Sequence, residues 1–316
     1  MKRFQNRIAE SSLTLPVMLL LFSVAWALTA FAAAGWHRPS VHDCGSLVCQ
    51  LITAYLLVEL STAMTLLRVR SNLVTASLLA MTMASGPLML SFRGSFVTLC
   101  FLGFLSFLLS AYQDDDSPGT NFYAFLLLGI GSMGFVHILY IVPIVWLLMT
   151  LALQSMSWRT WGASVLGVLT PYWFLLCYTL FTDELSLFAD IAAKLTEWQW
   201  PPVYSGFGPL QSLLFVLMVV VSLSSIVHFI VTGYEDKIRT RQYLAVFATL
   251  AMVLLAFIVL QPQHSVVCFH LAFIPVGVLA AHFFALTSSR ITNVAFIIVL
   301  ILLTLICVVN GLTAAQ

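Results

Sequence analysis

His37, Arg38, His42 and Asp43 fall within one short stretch, GWHRPSVHDCG (35–45), of a chain that is otherwise mostly apolar. Their types could do chemistry: a carboxylate takes up a proton or holds a cation, and a guanidinium grips phosphate oxygens through charge-assisted, often bidentate bonds. Arg93 (SFRGS), His137 (GFVHI) and His264 (QPQHS) are further polar residues set between apolar runs. Gathered on one aqueous face, Asp43 would act as base or metal ligand and Arg38 and Arg93 would hold phosphate. His37, His42, His137 and His264 would support them. Those are the parts needed for chemistry on a lipid phosphate. Each residue also has a plainer duty. Arg38 and Arg93 can snorkel to headgroups, and His37 and His42 can be interfacial residues with no ligand. The spacing His37-x4-His42-Asp43 matches no zinc pattern, so a divalent metal stays an option and no cofactor is firmly implied. Nothing in the chain reads as H-E-x-x-H, a P-loop or G-x-S-x-G.

Glu59, in ITAYLLVELSTAMTLL, is the ionisable residue set inside an apolar run. Tyr55, Glu59 and Thr62 share one helical face. A carboxyl at membrane depth is expected to face the bundle interior and is a functional candidate by default. It would carry protons or bind a cation, or sit protonated and hydrogen-bonded to Tyr55 or a neighbouring helix. His228, His270 and His282 lie in or near apolar runs and read as interhelical contacts.

The elements that must position these residues follow from composition. The 316 residues are 61% hydrophobic and 8% charged, whereas soluble domains carry about 25% charged residues. So few charges cannot cover a water-facing surface, and the solvent must largely be lipid. The net charge of +1 argues against a nucleic-acid footprint, which needs a clustered basic face. Long non-alternating apolar runs in lipid are helices, because backbone groups cannot stay unpaired there. The expected fold is all-α and polytopic, one integral membrane domain over 1–316. Spans are expected near 13–34, 48–67, 73–90, 95–112, 122–135, 137–154, 160–181, 209–232, 242–260, 266–287 and 291–312. MKRFQNR precedes an apolar run too long for a cleaved signal peptide, so an uncleaved signal anchor is expected.

The segment 122–154 is long for one helix and short for two, and Gly129, Gly131 and Gly134 before His137 suggest a break. Positive charge arbitrates. With a break, Lys2, Arg3, Arg7, Arg68, Arg70, Arg159, Lys237, Arg239, Arg241 and Arg290 are inside and Arg38, Arg93 and Lys194 outside, ten against three. Without it, the split is six against seven. A tight re-entrant pair is therefore expected, making eleven spans with the amino terminus cytoplasmic and the carboxyl terminus external.

The largest loop, 182–208, is then external. Leu185, Phe188, Ile191, Ala192 and Leu195 recur at helical spacing among Asp183, Glu184, Asp190, Lys194 and Glu197, which reads as an amphipathic interfacial helix, and Trp198, Trp200 and Tyr204 fit an aromatic belt. Asp114, Asp115 and Asp116, followed by Ser117, Pro118 and Gly119, read as a solvated turn rather than a metal site.

RSNLVTASLLAMTMASGPLML (70–90) and PQHSVVCFHLAFIPVGVLAAHFFALTSSR (262–290) resemble an uncharacterised family of multi-pass bacterial inner-membrane proteins. The middle, FLLLGIGSMGFVHILYIVPIVWLLMTLALQSMSWRTW, is similar to a pattern in multi-pass polyprenyl-phosphate-dependent glycosyltransferases, where a short glycine-rich helix turns into a longer apolar one ending in Arg. That resemblance implies a bacterial inner-membrane enzyme acting on a lipid-linked substrate, with Asp43 as the catalytic acid of the first external loop and a polyprenyl-phosphate carrier as partner. Such loops often carry a second acidic residue, and many such enzymes a large carboxyl-terminal soluble domain. Here Asp43 is the one acidic residue of that loop, and no large soluble domain is expected. Two other functions stay open: a non-catalytic membrane subunit holding a protein partner, and a proton-coupled transporter centred on Glu59. The transporter would favour internal repeats, which are not evident.

Overall fold

The computed structural model describes every residue except 1–3, 36, 70, 184, 205, 206, 315 and 316. Lys2, Arg3, Arg70 and Glu184 of the sequence reading therefore lie outside the described residues. Among the described residues the regular structure is helical: α1 (Phe4–Glu10), α2 (Thr14–Ala33), α3 (Val41–Ala63), α4 (Leu73–Ala84), α5 (Phe92–Ser110), α6 (Pro118–Gly134), α7 (Val142–Leu148), α8 (Trp158–Phe181), α9 (Leu185–Thr196), α10 (Pro209–Thr232), α11 (Ile238–Leu260), α12 (Ser265–Leu286) and α13 (Arg290–Ala314). Nine helical segments among them are long and apolar enough to cross a membrane. The chain is an all-helical, polytopic membrane protein.

All eleven expected segments fall on helix. Two are too short to count among the nine: α4, with 12 residues, and α6, with 17. At 1.5 Å per residue these rise about 18 and about 25 Å, against a hydrocarbon core of about 30 Å. The second expected span begins earlier than its apolar run. Val41 to Leu47 is already the start of α3, because Ser40 caps it. The third ends earlier, since Gly86 (φ +60°) and Pro87 break α4 into a 3-10 turn over Gly86–Leu90. Asn310 Nδ2 donates to the freed Ala84 carbonyl at 2.9 Å.

Two compact units make up the chain, Met1–Ser95 with Tyr204–Gln316, and Phe96–Val203. In the first, α12 is buried along nearly its whole length, with α4, α10 and α11 packed on it. That fits a helix apolar all round, which belongs in an interior. The helices of this unit alternate in direction, and their ends form two rims. At one rim Gln5 Nε2 donates to the Phe284 and Thr287 carbonyls, Arg68 meets Glu235, and Thr240 Oγ1 donates to the Thr65 carbonyl. Arg7, Arg68, Lys237, Arg239, Arg241 and Arg290 belong to this cation-rich rim. At the opposite rim the starts of α3 and α5 meet, His42 lying 6.1 Å from the Phe92 ring.

In the second unit α6 and α8 run parallel in close contact. A Cβ on Gly167 would stand 2.6 Å from the Phe122 carbonyl oxygen, so only glycine lets the backbones approach this far. Past Gly134 the chain breaks at Phe135 (φ −147°, ψ 93°) and doubles back over 136–153. Gln113 N then bonds the Leu153 carbonyl at 2.8 Å, so the far end of that segment lies beside the start of α6. Arg159 pairs with Asp116 at 3.0 Å, and Ser157 Oγ donates to the Asp115 carbonyl, which ties the acidic turn down as a turn. The short helix α9 sits at the other end of this unit, where Tyr140 donates to the Leu195 carbonyl.

Candidate functional site

The opposite rim of the first unit holds most of the expected constellation. Ser40 is the N-cap of α3, and its side chain and Asp43 form a reciprocal capping box. Ser40 N and Ser40 Oγ both donate to Asp43 Oδ2, at 2.9 and 2.7 Å, and Asp43 N donates to Ser40 Oγ at 3.1 Å. The carboxylate is thus held rigidly at the helix N-terminus, where negative charge is favoured. Both bonds to the carboxylate go to Oδ2, so the cap does not use its second oxygen, Oδ1. Arg38 and His37 are exposed on the approach to α3, and Arg93 is exposed on the first turn of α5. Gly45 lets α5 come close, since a Cβ there would meet the Phe92 ring at 2.9 Å. The starts of α3 and α5, which carry Asp43 and Arg93, therefore meet at this rim. His264 ends the 3-10 turn Pro262–His264 just ahead of α12, with its Nε2 3.4 Å from Gln263 Nε2.

His137 belongs to the other unit, where it is buried with Nε2 3.4 Å from the Glu197 carbonyl oxygen. Glu59 departs from expectation. Tyr55, Glu59 and Thr62 do share a face, but it is the exposed face of α3, not one turned into the bundle. Glu59 also lies one turn from the end of α3, where a side chain of its length reaches the helix terminus. Nor do the residues near Asp43 make a metal set: among the described residues no group of three or more His, Cys, Asp or Glu could hold an ion.

Sequence reasoning missed a buried polar column beneath the rim. Asp43, Ser46 and Gln50 share a face of α3. Ser46 Oγ donates to the Asp43 carbonyl at 2.7 Å, and Trp26 Nε1 reaches Ser46 Oγ at 3.4 Å. One turn deeper, Gln50 Nε2 donates to the Met89 carbonyl at 2.7 Å and to Ser95 Oγ at 2.8 Å. His270, 2% exposed, abuts the same turn of α5: a Cβ on Gly94 would stand 2.9 Å from its Nδ1. Gln50 Oε1 and His270 Nε2 have no partner. An unpaired buried polar atom costs about 1–3 kcal/mol, so each calls for an explanation. The signal was present in DCGSLVCQ: polar residues at i, i+3 and i+7 on a helix whose other faces are apolar.

A second cluster lies at the cation-rich rim. His282 Nε2 lies 3.0 Å from Asp236 Oδ2, both side chains 2% exposed. Arg68 pairs with Glu235 at 3.0 Å and approaches Asp236 at 4.0 Å. The ring of His228 packs 6.1 Å from that of His282. These bonds fasten the α3–α4 and α10–α11 turns to α12. The expectation of His228 and His282 as interhelical contacts fits this place; Asp236 and Glu235 carried no expectation, since a charged turn reads as solvated.

Compared with family models, with curated proteins and with solved structures, the chain finds no match, so its functional reading rests on its own residues.

Proposed function

We propose that the chain is an eleven-span protein of a bacterial inner membrane, amino terminus in the cytoplasm and carboxyl terminus outside, acting on a lipid-linked phosphate at its outer rim. In this reading α4 with its 3-10 turn crosses as a third span, and α6 with 136–153 forms the short pair. The substrate class is a polyprenyl-phosphate carrier, as the sequence resemblance implies, and the reaction a glycosyl or related transfer. The observation that carries the reading is the meeting of the α3 and α5 starts, which carry the capped Asp43 and Arg93, at the rim poor in cations. There Arg38 and Arg93 bind the phosphate. Asp43 Oδ1 takes the proton of an acceptor hydroxyl as its oxygen bonds to the sugar carbon, and the bond from that carbon to the carrier phosphate breaks.

A second reading has its own support. The capping box alone accounts for Asp43, which suits a non-catalytic subunit that holds a membrane protein partner. One comparison separates the two. In nanodiscs containing a polyprenyl-phosphate sugar, Asp43→Asn is expected to lose turnover while still binding carrier. Ser40→Ala is expected to retain turnover while losing about 1 kcal/mol of stability. If the parent itself transfers no sugar, the enzyme reading fails; if Asp43→Asn transfers sugar as the parent does, Asp43 is a cap and not the base.

A further inference from the structure

The two unpartnered atoms beneath the rim are chemically alike. Gln50 Nε2 spends its hydrogens on the Met89 carbonyl and on Ser95 Oγ, whose own hydrogen goes to the Ser91 carbonyl. That bonding fixes which end of the amide is oxygen, and leaves Oε1 as a bare acceptor. His270 Nδ1 lies 2.8 Å from the Val266 carbonyl oxygen, which can only accept, so Nδ1 carries the hydrogen. In the neutral ring Nε2 is then a lone-pair acceptor, again with no partner. Gln50 is 6% exposed and His270 2% exposed, and both border one turn of α5, at Ser95 and Gly94, directly below Arg93. Two buried acceptors with no donor lack a donated hydrogen, which an O–H group supplies and an anion does not.

We propose that the first turn of α5 is the floor of a subsite for hydroxyl groups, with Gln50 Oε1 and His270 Nε2 as acceptors and Gly94 as the residue that admits the imidazole. Its ligand class is a hydroxyl donor, either a sugar or ordered water. An anionic headgroup is excluded, since it would bring further acceptors. Identifying the sugar as the acceptor of a transfer rests on the function proposed above; the hydroxyl subsite itself does not.

The test uses full-length protein in nanodiscs, labelled with ¹⁵N-histidine, with decyl glucoside as the sugar probe and a decyl chain lacking the sugar as control. The His270 Nε2 resonance, assigned by its loss in His270→Phe, is expected to report an accepted hydrogen bond and to move with glucoside but not with the control. Glucoside affinity is expected to fall about tenfold in Gln50→Met, the loss of one hydrogen bond. An Nε2 signal that shows a hydrogen bond to water and ignores glucoside overturns the sugar assignment. A signal showing no hydrogen bond in any sample overturns the subsite. Asp43→Asn separates this proposal from the previous one. Glucoside binding unchanged in that variant upholds the sugar subsite whatever becomes of turnover, whereas turnover without glucoside binding by the parent refutes the sugar assignment alone.

Discussion

Asp43 and Glu59 are both carboxylates on α3, and their surroundings decide what each can do. Asp43 is fixed by three hydrogen bonds with Ser40. Glu59 lies on the exposed face near the helix end and makes no contact that the fold needs. We expect Glu59→Gln to leave the melting temperature of the detergent-solubilised protein where it is, as surface substitutions away from special features do. A drop of several degrees would return Glu59 to the structural core. Gly167 gives the opposite case: its hydrogen faces the Phe122 carbonyl oxygen and the Leu126 amide, which are backbone atoms that cannot swing aside. Gly167→Ala is therefore expected to destabilise by about 1–3 kcal/mol, the cost of overpacking, read from denaturant unfolding of the variant. At this scale the sequence was informative about type and poor about role. Asp43 read as a carboxylate fit for chemistry, whereas the structure shows it joined with Ser40 in the cap of α3. Gln50 carried no expectation and His270 read only as an interhelical contact, because a polar side chain in an apolar run reveals its unpaired atom only once its neighbours are in place.

At the scale of elements, hydrophobic runs located the helices well because lipid leaves the backbone no alternative. Their ends were harder. Run length put the start of α3 several residues late, since its first two turns are polar and held by capping. It carried the third span to residue 90, though Gly86 stops α4 at Ala84. That stop has a partner no local pattern could name. Asn310, from α13, donates to the Ala84 carbonyl and packs so close to Gly86 that a Cβ there would lie 2.6 Å from its own. Replacing the amide should expose the weakness. Asn310→Leu leaves a buried carbonyl without a donor and is expected to cost about 1–3 kcal/mol, with Asn310→Gln recovering little because the longer side chain overfills the notch. Unfolding of both variants in one detergent series checks this, and wild-type stability for Asn310→Leu would mean that the turn needs no cap. The glycine break at 134–136 was legible for a different reason: charge on either side of it made sense only if the chain reversed.

For the whole molecule, the proposed function depends on which aqueous phase each rim of the first unit meets. Among its described residues, Arg7, Arg68, Lys237, Arg239, Arg241 and Arg290 end at one rim and Arg38 and Arg93 at the other. Six against two is the imbalance that loops retained in the cytoplasm acquire, because Lys and Arg resist translocation while Asp and Glu barely count. In the proposed orientation the cation-rich rim lies inside, and the α3 and α5 starts outside, where a lipid-linked sugar would be met. Cys44 provides a native reporter, being exposed one residue from Asp43. A membrane-impermeant maleimide added to spheroplasts is expected to label Cys44, and to label nothing in Cys44→Ser. In the Cys44→Ser background, Lys237→Cys is expected to react in inverted vesicles and stay silent in spheroplasts. Labelling of Cys44 from the cytoplasmic side only would place Asp43 and Arg93 away from any exported carrier, and the transfer reading would fall although every contact described for the rim stood.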